Sequence, residues 1–224
     1  MSINVFRVAT RVLGGSKFIA SNSNFVPSFC KYSNSTMAKK ALVFLGPGAE
    51  EMEFVISVDV LRRGGMDVTI AGLPDNKLVK GAHDIEIKPD IGVSDASSKG
   101  PFDVLVLPGG LGGSQAMASS SVVGQLLKDQ EKAGRWIAAI CAAPTALKAH
   151  GIADGKNVTC YPAMRGQMEE GGKYKYKEEK VVVDSNIITS MGPGTAFDFG
   201  LAIVNNVVGK DKAAEVAKAM LLPY

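Results

Sequence analysis

Short, almost wholly apolar runs that alternate with segments of helical periodicity constrain the fold of this chain more than any other feature. Residues 41–45 (ALVFL) form the first run, and the Gly-Pro-Gly turn at 46–48 ends it. A helical stripe of apolar residues follows over 51–63, with glycines at 64–65 beyond its end, and 68–71 is the next apolar run. Two buried strands joined by a helix form a βαβ unit, so the strands are predicted to be parallel.

The same alternation continues towards the C-terminus. The further predicted elements are a strand at 104–107, one helix over 113–132, a strand at 136–140, a helix over 142–150, a small hairpin within 174–190, and one long final helix capped by Thr195. This order of elements predicts an α/β fold, a doubly wound sandwich with a mainly parallel sheet.

The first 36 residues have a different composition from the rest of the chain. They contain four basic residues and seven serines but no acidic residue, and Arg7 and Arg11 lie opposite an apolar side of a helical wheel. This composition is typical of a mitochondrial transit peptide, whereas a secretory signal would need an apolar core that is missing. The alternative is an untargeted extension that translation from Met37 bypasses. The expected location is mitochondrial, cytoplasmic or both, with a nuclear one also allowed.

The charge balance argues against a nucleic-acid partner. The whole chain carries a formal net charge of +3, but without residues 1–36 the predicted single domain, 37–224, has 21 basic against 22 acidic residues. The longest unbroken apolar run, 136–143, is far shorter than the ~20 residues that span a bilayer. Three cysteines are also too few for a disulfide framework.

Nucleotide and metal sites find little support. The turn at 46–51 lacks the third small residue of G-x-G-x-x-G, and no Walker-type phosphate loop occurs. The two histidines, His83 and His150, are not spaced as zinc ligands, and there is no C-x-x-C pair. We therefore expect no metal and no organic cofactor.

The strongest chemical feature is Cys141 within the segment 138–145 (AAICAAPT). A buried strand meets a helix at this one reactive residue, and Ala139 and Ala143 provide the small neighbours that a nucleophile elbow requires. The start of the following helix is expected to favour thiolate and to lower the pKa of the thiol. The alternative is that Cys141 is a small core hydrophobe, and this segment alone does not decide between the two.

Other residues strengthen the first interpretation. Gly109 and Gly110 end the neighbouring strand and can direct backbone N–H groups into the same crevice as an oxyanion hole. Glu53, near the apolar side of the first helix, could be half-buried with a raised pKa. Its alternative role is that of an ordinary acidic residue in the first turn of a helix.

A Cys-His pair is hard to build. His150 lies about 13 Å along the same predicted helix as Cys141, and His83 belongs to the 80–88 loop. Cys160, in a short predicted strand, and Cys30, in the leader, are expected to be inert.

Four separated motifs together resemble the DJ-1 branch of the DJ-1/PfpI superfamily over residues 39–224. They are GAEEME at 48–53, VLPGG at 106–110, AAICAAPT at 138–145 and GPGT at 192–195. The resemblance implies a flavodoxin-like three-layer sandwich that forms a homodimer.

The resemblance also implies roles for individual residues. Cys141 would be the peroxide-sensitive thiol and Glu53 its protonated partner, with Gly109 and Gly110 on the oxyanion side. Ala142 and Pro193 would line the pocket, and Ala142, where the protease branch has His, argues against proteolysis. The implied activities are protection against oxidative stress, glyoxalase and deglycase activity towards methylglyoxal and its adducts, and chaperone activity.

The sequence departs from the family pattern at three positions. Tyr161 replaces a His, Met191 replaces an Arg, and Gly81 replaces a common Cys. The leading hypothesis is a redox-sensitive cysteine protein with cofactor-independent glyoxalase-type activity through Cys141 and Glu53. The alternative is a non-enzymatic oxidation sensor or redox-regulated chaperone that acts through a Cys141 sulfinate.

Overall fold

Seven strands pair into one sheet, and helices cover both of its faces. The structure, a computed structural model, describes residues 37–224. The predicted leader, residues 1–36, and its targeting function lie outside the described residues.

The strands are short and most of the helices are longer. The strands are β1 (Lys40–Leu45), β2 (Asp67–Gly72), β3 (Val79–Lys80), β4 (Glu86–Ile87), β5 (Ile91–Gly92), β6 (Val104–Leu107), β7 (Trp136–Ile140), β8 (Asn157–Val158), β9 (Lys175–Tyr176), β10 (Val181–Asp184) and β11 (Ile187–Ser190). The helices are α1 (Glu51–Arg63), α2 (Ala96–Lys99), α3 (Leu111–Ser119), α4 (Ser121–Lys132), α5 (Pro144–His150), α6 (Arg165–Glu169), α7 (Ala196–Val207) and α8 (Lys210–Ala219). Short 3-10 helices occur at Val93–Asp95, Pro162–Met164 and Pro193–Thr195.

The main sheet has the strand order β10-β11-β7-β6-β1-β2-β5. All neighbouring pairs are parallel except β10 and β11, which form an antiparallel hairpin at one edge. The central strands are buried on both faces, as a parallel sheet between two helical layers requires.

The alternation of side chains along β1 shows the three layers. Ala41, Val43 and Leu45 pack into a core with α1, α7 and α8. Leu42 and Phe44 point to the opposite face and pack into a second core with α3, α4 and α5. The predicted flavodoxin-like three-layer sandwich is therefore confirmed.

Two predicted helices are wrong as single elements. The predicted helix over 113–132 is divided into α3 and α4 because Ser120 adopts an extended conformation and accepts a hydrogen bond from the Val123 N–H, which starts a new helix. The final helix is likewise divided into α7 and α8 at Gly209, whose φ is 141°.

Three further boundaries differ from the prediction. Thr195 precedes α7, but its side chain caps nothing in that helix and instead bonds to Gly192. The helix predicted from Ala142 begins at Pro144, where the missing N–H of proline costs nothing. The predicted hairpin is confined to β10 and β11, and its second strand also joins the main sheet beside β7.

The topology brings four chain turns to one edge of the sheet. Strands β11, β7, β6 and β1 are adjacent and parallel, so their carboxyl ends lie side by side. Ligands of open α/β sheets bind outside this edge. Within residues 37–224, no helix combines the length and the apolar character needed to cross a bilayer.

Candidate active site

Cys141 occupies a strained turn directly after β7. Its φ is 64°, a left-handed conformation that residues other than glycine seldom adopt. The Cys141 N–H donates to the Ser190 carbonyl oxygen at 2.9 Å, and its own carbonyl oxygen accepts from the Tyr161 N–H at 2.8 Å. Ala139 and Ala143 on either side are fully buried. The predicted strand-to-helix elbow is therefore present, and two neighbouring segments hold its strain in place.

Glu53 approaches the elbow from the first turn of α1. The sequence suggests a half-buried side chain, but the structure buries it completely. Carboxyl oxygen Oε2 accepts a hydrogen bond from the Gly109 N–H at 2.8 Å. Oxygen Oε1 is buried and has no ordinary hydrogen-bond partner among the described residues. The Cys141 thiol and the nearby charge of Glu50 also act on this carboxyl.

The surroundings of Glu53 favour its protonated form. Burial raises the pKa of Glu53 from the ordinary 4.5 to about 7, although hydrogen bonds with Cys141 and Gly109 act in the opposite direction. At neutral pH, a substantial fraction of the Glu53 carboxyl can therefore carry a proton and donate it to the sulfur.

The predicted lowering of the Cys141 pKa is wrong. Burial and the charge of ionised Glu53 raise the pKa of the thiol to about 12, and the N–H groups of Gly110 and Ala142 oppose this only in part. Helix α5 begins only at Pro144, three residues after Cys141. Glu53 and Cys141 together lose one proton near neutral pH and the second only in alkali. Between these pH values one proton remains, and Cys141 is a thiolate only when that proton lies on Glu53.

The glycines in the turn after β6 allow this close approach. A Cβ atom on Gly109 would lie 2.5 Å from Glu53 Oε2 and 2.6 Å from Cys141 Cβ. Gly110 has a φ of 79°, and a side chain there would collide with the Gly48 carbonyl oxygen. Both positions therefore require glycine.

The two glycines have different roles in the geometry. The Gly109 N–H is occupied by Glu53, whereas the N–H groups of Gly110 and Ala142 act on the Cys141 sulfur. The amides that face the Cys141 sulfur are therefore those of Gly110 and Ala142. The sequence prediction grouped Gly109 with Gly110, because spacing alone does not show which N–H the carboxyl takes.

Pro193 lies in the loop that follows β11 at the same sheet edge. The half-buried proline opens the 3-10 helix Pro193–Thr195. Thr195 Oγ1 accepts a hydrogen bond from the Gly192 N–H at 3.1 Å and shares another with Ser190 Oγ at 2.7 Å. These bonds hold the loop beside Ser190, whose carbonyl oxygen binds the Cys141 N–H.

Neither histidine forms a pair with Cys141. His150 Nε2 lies 2.9 Å from the Met117 carbonyl oxygen. His83 binds Glu51 instead. The backbone N–H of His83 donates to Glu51 Oε1 at 2.6 Å, and ring nitrogen Nδ1 lies 2.9 Å from Glu51 Oε2. Cys160, the other free cysteine among the described residues, is buried in the core on the opposite face of the sheet.

The Glu51–His83 contact was missed by the sequence analysis. Gly81 makes it possible, because any Cβ at this position would collide with the Glu51 carboxyl. In the sequence, the signal for this contact was Gly81, which stands where a cysteine is common in the family pattern. Backbone bonds from Gly48 N–H to the Lys80 carbonyl oxygen and from Ala82 N–H to the Ala49 carbonyl oxygen, both 2.8 Å, attach the same loop to the turn before α1.

The fold also groups Glu50, Glu51 and His83, whose ligand-type atoms lie within 4.8 Å of one another. Spacing along the sequence predicts no such grouping. The hydrogen bonds of His83 account for one side of it, and Glu50 is engaged as the cap of α1, accepting from the Glu53 N–H at 2.7 Å. The observed bonds thus explain the cluster as structural.

The raised pKa of Glu53 makes the stability of the protein depend on pH. A group with a raised folded-state pKa contributes stability below its unfolded pKa and loses that contribution as pH rises through the folded value. Relative to E53Q, the wild type should lose on the order of 3 kcal/mol of unfolding free energy between pH 4.5 and pH 7. Urea unfolding at several pH values measures this difference. The exposed replacement E179Q is the control, and parallel curves for wild type and E53Q would refute the assignment.

The His83–Glu51 pair should stabilise the fold most between pH 4.5 and 6.5. The bond with Glu51 and its charge raise the pKa of His83 above the ordinary 6.5, so the His83 contribution is lost as pH rises through the raised value. Burial tends to raise the pKa of Glu51, but hydrogen bonds, first among them those from His83, together lower the pKa below 4.5. Nuclear magnetic resonance titration of the His83 ring should show a lower pKa in E51Q than in wild type. Equal His83 pKa values in both proteins would contradict the contact.

Comparisons with known proteins agree with the observed fold. The DJ-1/PfpI family model matches residues 39–206. The crystal structure of Drosophila melanogaster DJ-1beta has a TM-score of 0.81 and 54% identity, covering 84% of this chain and 100% of that chain. The Parkinson disease protein 7 homolog of Danio rerio is 50% identical over 184 residues, 82% of this chain and 97% of the relative. The glutathione-independent glyoxalase DJR-1.2 of Caenorhabditis elegans is 45% identical over 185 residues, again 82% and 97%. The chain belongs to the DJ-1/PfpI family.

Proposed function

We propose that the protein is a cofactor-independent glyoxalase of the DJ-1 type that converts small 2-oxoaldehydes, methylglyoxal first among them, into 2-hydroxy acids. The observation that carries the proposal is the Cys141 sulfur placed between the Glu53 carboxyl and the N–H groups of Gly110 and Ala142. This arrangement supplies a nucleophile, a proton carrier and an oxyanion site without further groups. A relative that is 45% identical carries the name of a glutathione-independent glyoxalase, which supports the same chemistry.

The first step is the attack of the Cys141 thiolate on the aldehyde carbon. The thiol proton moves to Glu53, and a carbon–sulfur bond forms as the carbonyl π bond opens to an oxyanion. The N–H groups of Gly110 and Ala142 donate to this oxygen, which then takes up a proton to give a hemithioacetal. The cost of burying the thiolate is offset because the negative charge leaves the sulfur in this step.

The second step moves hydrogen between the two carbons. Glu53, as a carboxylate, removes the proton from the former aldehyde carbon and returns it to the neighbouring carbonyl carbon through an enediol. The product is a thioester of the 2-hydroxy acid, and water releases lactate and the free thiol from the methylglyoxal adduct. The oxidation of one carbon balances the reduction of the other, so no external oxidant or reductant is needed.

The proposal extends to two further features. Adducts of methylglyoxal with proteins retain the same two-carbon unit, so the same site is proposed to act on them as a deglycase.

We also propose a homodimer. The exposed apolar side chains of Met52 and Val55 on α1 support it, because they lie together on one helix face.

Lactate formation tests the glyoxalase proposal. Wild type should convert methylglyoxal to lactate, and C141S should show no conversion above background because the nucleophile is lost. E53Q should be slower by about 10²- to 10⁴-fold, since it keeps a donor but cannot carry the proton between carbons. C160S, which alters a buried cysteine on the other face of the sheet, is the matched control and should retain activity.

A second candidate, an oxidation sensor or redox-regulated chaperone, is favoured by the unpartnered oxygen of Glu53. A protonated Oε1 could donate to a sulfinate oxygen on Cys141. Two equivalents of peroxide oxidise the thiolate through sulfenate to sulfinate and are reduced to water. If mild peroxide adds the mass of two oxygen atoms to wild type and C160S but not to C141S, while lactate stays at background, the sensor function replaces the glyoxalase proposal.

A further inference from the structure

The backbone of Tyr161 is fixed to the candidate nucleophile. Its N–H donates to the Cys141 carbonyl oxygen at 2.8 Å, and the 3-10 helix Pro162–Met164 begins at the next residue. The segment that carries Tyr161 therefore lies directly beside the elbow, at the carboxyl edge of the sheet.

The ring of Tyr161 lies near Gly192, in the other segment that holds Cys141. A Cβ atom on Gly192 would lie 3.5 Å from ring atom Cδ2, which places the ring against the Gly192 backbone. Gly192 follows β11, whose last residue, Ser190, accepts the Cys141 N–H at 2.9 Å. The ring thus spans the two segments that bond to the Cys141 backbone.

The backbone beside the Tyr161 ring is held by hydrogen bonds, and the Tyr161 side chain is partly exposed to solvent. Thr195 ties Gly192 through its N–H and carbonyl groups, so the backbone against the ring has little freedom. Tyr161 itself is 47% exposed, although Cys141 is only 9% exposed. The segment whose backbone bonds to Cys141 therefore presents an exposed aromatic surface to solvent.

An aromatic surface at this place distinguishes substrates by the group on their 2-oxo carbon. A methyl group offers little contact area, whereas a phenyl group can pack against the ring with offset or edge-to-face geometry, an interaction that corresponds to about 2- to 12-fold in binding. We propose that Tyr161 is a specificity-determining residue that favours aryl 2-oxoaldehydes such as phenylglyoxal over methylglyoxal. The inference rests on the proposed function.

The test compares kcat/KM for phenylglyoxal and methylglyoxal. The ratio of the two values should fall by about 2- to 12-fold in Y161A, because the value for phenylglyoxal falls more than the value for methylglyoxal, and should persist in Y161F, which keeps the ring. The matched control is Y224A, which removes a tyrosine that is 60% exposed and bonded to Asn205. A merely structural role would lower both values together. An unchanged ratio in Y161A, or an equal loss in Y161F, would overturn the inference.

A binding measurement separates this inference from the failure of the proposed function. If wild type turns over neither aldehyde, the glyoxalase proposal fails, and protection of Cys141 from alkylation then tests Tyr161 directly. Methyl phenyl diketone should protect the thiol better than diacetyl in wild type, and Y161A should abolish the difference. Equal protection by both diketones in wild type would overturn the role of the ring.

Discussion

The carboxyl of Glu53, buried between the Gly109 N–H and the Cys141 thiol, is the contact on which the rest of the site depends. Removal from water makes the charged carboxylate costly, and its pKa rises to about 7. The same buried position lets a carboxylate suppress ionisation of the neighbouring sulfur. One proton is therefore held between the two groups over a wide pH range, and either group becomes reactive only as the other takes the proton.

The fold supplies this contact through the edge of its sheet and through residues without side chains. Strands β7 and β6 end next to each other, so the elbow at Cys141 faces the turn at Gly109 and Gly110. Glycine at both positions allows α1 to bring Glu53 within hydrogen-bond distance of the Gly109 N–H, just after β6. The Tyr161 and Ser190 segments then fix the backbone of Cys141 on both sides. The strain at Cys141 is thus held by bonds outside the reacting atoms.

The sequence predicted most of the strands and the turn at Cys141 because their signals are local. The apolar runs predict strands β1, β6 and β7, and small residues around Cys141 predict its turn. The break at Ser120 was missed because a serine within a polar stretch can either continue a helix or cap a new one. The pKa of Cys141 was predicted in the wrong direction because burial and the distance to Glu53 are tertiary properties. The binding of His83 to Glu51, more than thirty positions apart, was invisible for the same reason.

The central claim is that Glu53 and Cys141 share one proton, and the ultraviolet absorbance of the thiolate tests it most directly. The titration is followed in C160S, so that Cys141 is the reporting thiol of residues 37–224, and in C160S with E53Q added. The account predicts that the thiolate of Cys141 forms at a clearly lower pH when E53Q is present, because the repelling carboxylate charge is removed. Coincident titration curves for the two proteins would contradict it.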